Sequence, residues 1–122
     1  MSLNLRIDGD VAVLSNVARL MNDPRYSTSA RDLEPLLGQG IRLFAIELAN
    51  VNDTGSALVG LLMTLSRRIR AAGGDVVLVR CSPAIKNYLE EMQLDAYWEM
   101  LPALDEVHTY FDRVRDRVAE PE

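Results

Sequence analysis

The segment that most restricts the possible folds lies in the middle of the chain. Leu43–Leu48 is mostly apolar and is typical of a strand buried on both faces. A polar turn follows it, and apolar residues then recur at the spacing of a buried helical stripe, at Leu58, Leu61, Leu62, Leu65 and Ile69. A buried strand joined to a buried helix by a short turn predicts an α/β fold, which commonly places functional groups at such a junction. Ser56 begins this helix, so its hydroxyl is expected near the surface.

The remaining pattern predicts a regular alternation of strands and helices. In chain order the other elements are strands at Leu3–Ile7 and Val11–Leu14 around an Asp8-Gly9-Asp10 turn, a short helix capped by Ser27, Thr28 or Ser29 and ended by Gly38 or Gly40, a strand at Asp75–Val79, a helix opened by Ser82-Pro83, a short strand around Tyr97–Met100 and a helix from Pro102. Asn16–Met21 could extend the second strand or begin a loop, before Asn22-Asp23-Pro24 breaks the pattern.

The order β-β-α-β-α-β-α-β-α predicts a mostly parallel, mixed β-sheet of about five strands with about four helices. The chain of 122 residues is expected to form one domain over residues 1–118, with a frayed tail at 119–122.

Charge and composition limit the classes of partner. A formal net charge of −5 argues against nucleic acid or an anionic membrane surface as the main partner, because both favour a basic face. The apolar run Ala57–Met63 is far shorter than the ~20 residues of a membrane-spanning helix, and the amino terminus has no signal-peptide pattern. Cys81 is the sole cysteine, which excludes an intrachain disulfide and suits a reducing compartment. We expect a cytoplasmic protein without direct membrane insertion.

No pattern in the sequence indicates catalysis, a metal site or a cofactor. The single histidine, His108, lies among acidic residues of the last predicted helix, which favours a solvated acidic face over a metal site or catalytic pair. Asp53-Thr54-Gly55 is similar to the aspartic protease tripeptide, but no second half-domain accompanies it. Cys81 is interpreted as a small buried hydrophobe, and Arg67-Arg68-Ile69-Arg70 as a solvated helix face.

Phe44–Leu104 resembles the STAS domain of bacterial anti-sigma factor antagonists. In that family a strand, a turn of the type V-x-x-x-D-S-S-G-L, a helix, a double glycine, an apolar strand and a helix capped by Ser-Pro follow one another, as they do here. Counting forward from Val51 and back from Gly73-Gly74 gives the same ungapped register. The resemblance therefore implies that Ser56 is the phosphorylation site, with Thr54 as a second candidate.

The turn departs from the family pattern at its most polar positions. Gly55 stands where the family usually has an aspartate, and Ala57 and Leu58 replace the usual Ser-Gly. Two interpretations of Ser56 follow. It is a phosphorylation switch, since phosphate at a helix amino terminus meets unpaired N–H groups and the positive end of the helix dipole. Alternatively it is an N-cap that contributes roughly 1 kcal/mol to the helix.

The resemblance implies a regulatory protein that needs no cofactor. The unmodified form would bind an anti-sigma serine kinase, phosphorylation at Ser56 would release it, and a cognate phosphatase would reverse the change. The residues expected to contact the partner are Asp53, Thr54, Gly55, Val59, Met63 and Ser82. Two alternatives remain: an accessory STAS subunit of an ABC-type lipid transporter that is not switched, and a scaffold in a stress-signalling complex.

Overall fold

The computed structural model describes residues 4–17, 26–49, 51 and 54–119. Its strands are β1 (Asn4–Asp8), β2 (Val11–Ser15), β3 (Leu43–Glu47), β4 (Asp75–Val79) and β5 (Glu99–Leu101). Its α-helices are α1 (Glu34–Gly38), α2 (Ser56–Ala71), α3 (Pro83–Glu91) and α4 (Val107–Ala119), and 3₁₀ segments occupy Tyr26–Leu33 and Leu104–Glu106. The predicted α/β class and element order are confirmed.

The five strands form one sheet in the order β1-β2-β3-β4-β5. β1 pairs with β2 in antiparallel register through a two-residue loop, whereas β2, β3, β4 and β5 run parallel to one another. Parallel neighbours require crossover connections, and the helices predicted from the apolar periodicity provide them.

Both faces of the sheet are covered, which explains why the central strands are apolar throughout. One face packs against α1, α2 and α3, and its fully buried side chains include Leu14, Phe44, Ile46 and Leu78. The α2 stripe predicted from the sequence is buried in this layer. The opposite face packs against Val107 and Phe111 of α4, and its strand residues are Val11, Ala45, Val77 and Val79.

The first helical region differs from the prediction. A single short helix was expected, but a 3₁₀ segment spans Tyr26–Leu33 before α1 begins at Glu34. Pro35 explains the late start of α1, because proline lacks a backbone N–H and is tolerated only in the first turn of an α-helix. Asn16 has a positive φ of 60° directly after β2, so it does not extend that strand. Asn22-Asp23-Pro24 lies outside the described residues.

The last strand starts later than predicted because Trp98 turns into the core. Its side chain is 3% exposed, and its indole N–H donates to the hydroxyl of Ser66, a fully buried residue of α2, at 2.8 Å. The neighbouring Tyr97 contacts Arg70 of the same helix. The Arg70 guanidinium lies 4.3 Å from the Tyr97 ring centroid and donates to the Tyr97 carbonyl at 2.7 Å. These contacts attach the segment before β5 to the carboxyl-terminal half of α2.

Gly73-Gly74 ends α2 as expected, but the two glycines are needed for different reasons. The N–H of Gly73 donates to the carbonyl of Arg70 and that of Gly74 donates to the carbonyl of Ile69, which is the Schellman pattern. Gly73 has a φ of 84°, a conformation that L side chains rarely adopt. At Gly74 a Cβ would collide with the backbone carbonyl of Arg42, so close packing excludes a side chain there.

None of the helices in the described ranges combines the length and the apolarity that a membrane span requires.

Candidate functional site

The candidate site lies at the carboxyl ends of β3 and β4. These strands are neighbours, with Glu47 opposite Val79, and the N–H of Leu48 extends the pairing by donating to the carbonyl of Val79 at 2.9 Å. The connection from β3 to α2 and the connection from β4 to α3 therefore leave the sheet at the same edge. This brings the turn that contains Ser56 and the segment that contains Ser82 to one end of the domain, as expected for an α/β fold.

The turn is anchored in the core and presents its hydroxyl groups to solvent. Val51 is buried in the core between the sheet and α1, α2 and α3, and its N–H donates to the carbonyl of Leu48 at 3.1 Å. Thr54 and Ser56 are both exposed, which confirms the expectation for the Ser56 hydroxyl. Asp53 was also expected to contact a partner, but it lies outside the described residues. The exposed residues Thr54 and Ser56 thus flank Gly55 at the entrance to α2.

The structure contradicts the interpretation of Ser56 as an N-cap. Gly55 occupies the N-cap position, and Ser56 is the first residue of the helix. The first intrahelical hydrogen bond runs from the N–H of Val59 to the carbonyl of Gly55, so the N–H groups before Val59 have no acceptor within the helix. Glycine has no side chain with which to cap them. The exposed Ser56 hydroxyl therefore lies at a helix amino end, near the positive end of the helix dipole, where the N-cap residue provides no capping side chain.

Gly55 also has a backbone conformation that few residues can adopt. Its φ of 144° and ψ of −175° lie in a region that is essentially restricted to glycine. A Cβ placed there would have no atom within 4 Å other than those of Gly55 and its chain neighbours, so the restriction comes from the local backbone and not from a packed neighbour. Glycine at this position therefore permits a backbone path into α2 that an aspartate could not readily adopt, and it also provides no carboxylate.

A charged pair that the sequence analysis did not single out lies beside this turn. Arg80 Nη1 is 3.7 Å from Glu47 Oε1, so the pair links the carboxyl ends of β3 and β4. Arg80 has a positive φ of 58°, and its N–H donates to the carbonyl of Leu101 at 3.0 Å. The sequence does place a charged residue at the end of each buried strand, but the pairing depends on the sheet register. Half-exposed ion pairs of this kind contribute up to about 1 kcal/mol.

The other residues expected to contact a partner also have structural contacts. Val59 and Met63 are half-buried and pack against the periphery of the core. The Ser82 hydroxyl accepts a hydrogen bond from the N–H of Ile85 at 3.2 Å and so caps α3, as its position before proline predicts. Cys81 is half-buried, and burial raises the pKa of its thiol to about 11. The thiol is therefore protonated at neutral pH, although the side chain is half-buried and not fully buried as the sequence predicted.

Charged side chains outside this site make tertiary contacts that the sequence did not indicate. His108 does not simply join an acidic solvent face: its Nε2 is 3.6 Å from Asp8 Oδ2 and its Nδ1 is 3.7 Å from Asp10 Oδ1, so it lies over the β1–β2 turn. Arg68 donates two hydrogen bonds to Glu34, at 2.6 and 2.8 Å, and thereby links α2 to α1. Among the described residues, no three His, Cys, Asp or Glu side chains converge as metal ligands.

Comparison with known proteins agrees with this fold. The sequence matches the family model of the STAS domain over residues 3–107. No curated protein matches the sequence. Several solved structures share the fold, and we describe three proteins among them.

A structure from the stressosome, described as a signal integration and transduction hub, has a TM-score of 0.76 at 19% identity, and the alignment covers 96% of this chain and 100% of that one. The anti-sigma-factor antagonist (STAS) domain protein of Planctomyces limnophilus has a TM-score of 0.69 at 20% identity, with 87% and 94% covered. The anti-sigma factor antagonist SpoIIAA in its unphosphorylated form has a TM-score of 0.67 at 17% identity, with 94% and 97% covered. The phosphorylated form of SpoIIAA, from Bacillus, has a TM-score of 0.59 at 18% identity, with 93% and 99% covered.

Proposed function

The chain belongs to the STAS domain family, and we propose that it is a regulatory protein-binding domain of the anti-sigma factor antagonist type. In this proposal the unphosphorylated domain binds an anti-sigma serine kinase in the cytoplasm. Phosphorylation of Ser56 releases the domain, and a cognate phosphatase restores binding. The kinase supplies the nucleotide and the chemistry, so this chain acts through its surface and not as an enzyme.

The observation that carries the proposal is the position of the Ser56 hydroxyl. It is exposed at the first residue of α2, where the preceding Gly55 contributes no capping side chain. A phosphoryl group on Ser56 would be near backbone N–H groups that have no helical acceptor, and near the positive end of the helix dipole. The domain can therefore carry phosphate at this position without loss of its fold, which is a requirement for a reversible switch.

The effect of the phosphate would fall on the partner. A phosphoserine adds a charge of about −1.5 to −2 at neutral pH, on a chain whose formal net charge is already −5. A partner that packs against the entrance to α2 would have to desolvate this charge or meet it with cations. The proposed contact surface comprises Asp53, Thr54, Gly55, Val59, Met63 and Ser82.

The half-buried state of Val59 and Met63 restricts how that surface is tested. Both side chains pack against the core, so their substitution alters stability together with any contact. Ser56 is exposed and allows a cleaner experiment. We therefore compare Ser56→Asp with Thr109→Asp, which introduces the same charge at an exposed position of α4, outside the proposed contact surface.

The experiment recovers the tagged protein from its own host without denaturation and identifies its partners and its phosphorylated residues by mass spectrometry. We expect a serine kinase of the anti-sigma type to be recovered with the wild-type chain and with Thr109→Asp, and to be lost with Ser56→Asp. Ser56→Ala should retain the kinase and prevent phosphorylation. Equal recovery of the kinase by the Ser56→Asp variant would refute the proposed switch.

The lack of an acidic side chain at position 55 favours a second candidate function. Because this glycine replaces the usual acidic neighbour of the phosphorylated serine, the domain could act by contact alone, as an accessory subunit of an ABC-type lipid transporter or as a scaffold. The same recovery experiment distinguishes these functions, since a transporter ATPase with membrane subunits would then accompany both Asp variants equally.

A further inference from the structure

The strand β1 forms one edge of the sheet, and we propose that it is the surface through which two copies of this chain associate in an antiparallel β-pairing. Within the described ranges β1 has a single neighbour, β2. It carries Ile7, which is 49% exposed and is one of the two large hydrophobic side chains that stand out as exposed in that part of the chain. The proposal concerns self-association and is independent of the function proposed for Ser56.

The hairpin register determines which backbone groups face outward. The two-residue loop makes Asp8 and Val11 the hydrogen-bonded pair that closes the hairpin. Hydrogen-bonded and non-hydrogen-bonded pairs alternate along an antiparallel ladder, so Arg6 directs its N–H and C=O toward β2 in the same way. Leu5 and Ile7 therefore direct their N–H and C=O groups to the outer edge, where another strand can pair with them.

Charge selects one register for such a pairing. If a two-fold axis passes between Ile7 and its copy, Arg6 of each chain lies opposite Asp8 of the other, and the two isoleucines lie side by side. If the axis passes through Arg6, the two arginines oppose each other. Opposite charges across neighbouring strands stabilise the pair, whereas like charges destabilise it. Charged residues on an edge usually discourage pairing, but this alternation of sign is self-complementary in the Ile7-centred register.

The other edge of the sheet is poorly suited to the same role. β5 has three residues, begins with the exposed Glu99 and is followed directly by Pro102, which has no N–H to donate. β1 has five residues and contains no proline. The edge at β1 is therefore the one that can accept a further strand. The candidate site at the carboxyl ends of β3 and β4 lies on strands that do not take part in this pairing.

The association is expected to be weak, because one short strand pair buries less than the roughly 1,200 Å² of the smallest stable interfaces. Sedimentation velocity on the full chain should show the mass rising from 13.6 kDa toward twice that value as the concentration increases from about 10 μM to about 1 mM. A mass that stays at 13.6 kDa at about 1 mM would overturn the proposal.

Charge reversal tests the register. Arg6→Glu and Asp8→Arg each place two like-charged pairs across the axis, so each variant should lower the association constant about tenfold. In an equimolar mixture, a dimer of one Arg6→Glu chain and one Asp8→Arg chain again has opposite charges in both pairs, so the mixture should recover the wild-type constant. Failure of the mixture to associate more strongly than either variant alone would refute this register. Thermal unfolding of each variant controls for the loss of the Asp8 contact with His108.

A cross-link provides a test that does not depend on charge. Opposed residues of a hydrogen-bonded pair have Cα atoms about 5.5 Å apart, within the range that a disulfide spans. Ile7→Cys in a Cys81→Ala background should therefore form a covalent dimer under mild oxidation. The matched control Asn4→Cys is also exposed, but in this register its two copies are six residues apart along the strands, about 20 Å. Equal cross-linking of both variants would contradict the proposed pairing.

Discussion

Substitution of Gly55 by alanine tests whether the backbone conformation at the entrance to α2 requires glycine. The methyl group would have no atom within 4 Å beyond those of its chain neighbours, so the change introduces no collision with a packed element. It does force an L residue to hold a φ of 144°, and a residue in such a sparsely populated region costs about 1–3 kcal/mol. Alanine also reduces the conformational freedom of the unfolded chain, which stabilises the folded state by about 0.4–1 kcal/mol. We therefore expect a net loss of roughly 1–2 kcal/mol in the free energy of unfolding.

Gly38→Ala is a matched control for this substitution. A Cβ at Gly38 also has no atom within 4 Å, but the φ of this residue lies outside the positive region. The variant should be as stable as the wild type or up to about 1 kcal/mol more stable. Urea denaturation followed by circular dichroism measures both changes. Suppose that Gly55→Ala and Gly38→Ala change the free energy of unfolding equally. The backbone conformation at position 55 then does not require glycine, and an aspartate could also occupy it.

Three further predictions concern contacts away from this turn. Ser66→Ala leaves the buried indole N–H of Trp98 without its acceptor, so the free energy of unfolding measured by denaturation should fall by about 1–3 kcal/mol. Gln93 follows α3 with a positive φ of 60°, so Gln93→Gly should raise the melting temperature, by an amount equivalent to about 0.5–1 kcal/mol, because glycine adopts this conformation without strain. The hydrogen bonds from Arg68 hold the pKa of the Glu34 carboxyl below its ordinary value of 4.5. The stability that this exposed pair contributes is therefore present above pH 4.5 and is lost as the pH falls through the folded-state pKa, so melting curves of wild type and Glu34→Gln should differ at pH 7 and converge in acid.

The parts of the fold that the sequence predicted correctly depend on local signals. The α2 stripe, the apolar strand Asp75–Val79 and the capping of α3 by Ser82 each depend on residues a few positions apart, and the structure confirms all three. The late start of α1 also follows from a local signal, because Pro35 is tolerated only in the first turn of an α-helix.

The parts that were missed depend on residues far apart in the sequence. Glu34 and Arg68 are separated by 34 positions, and the pairing of Glu47 with Arg80 requires the register of β3 against β4. The position of His108 over the β1–β2 turn depends on how α4 crosses the sheet. Gly55 shows a related limit: the local pattern indicates neither its φ of 144° nor its position as the N-cap, which the sequence had suggested for Ser56.

The sequential strand order has a consequence for how the chain folds during synthesis. After β1, each described strand pairs with the strand made just before it, so it has a partner as soon as it is synthesised. The face of the sheet that packs against α1, α2 and α3 can be covered in the same order, as each of these helices is synthesised. The opposite face, with Val11, Ala45, Val77 and Val79, remains uncovered until α4, the last of the described helices, emerges from the ribosome. A nascent chain halted before α4 would display this apolar surface to chaperones or to other nascent chains, which makes the final helix the element that protects the domain from aggregation.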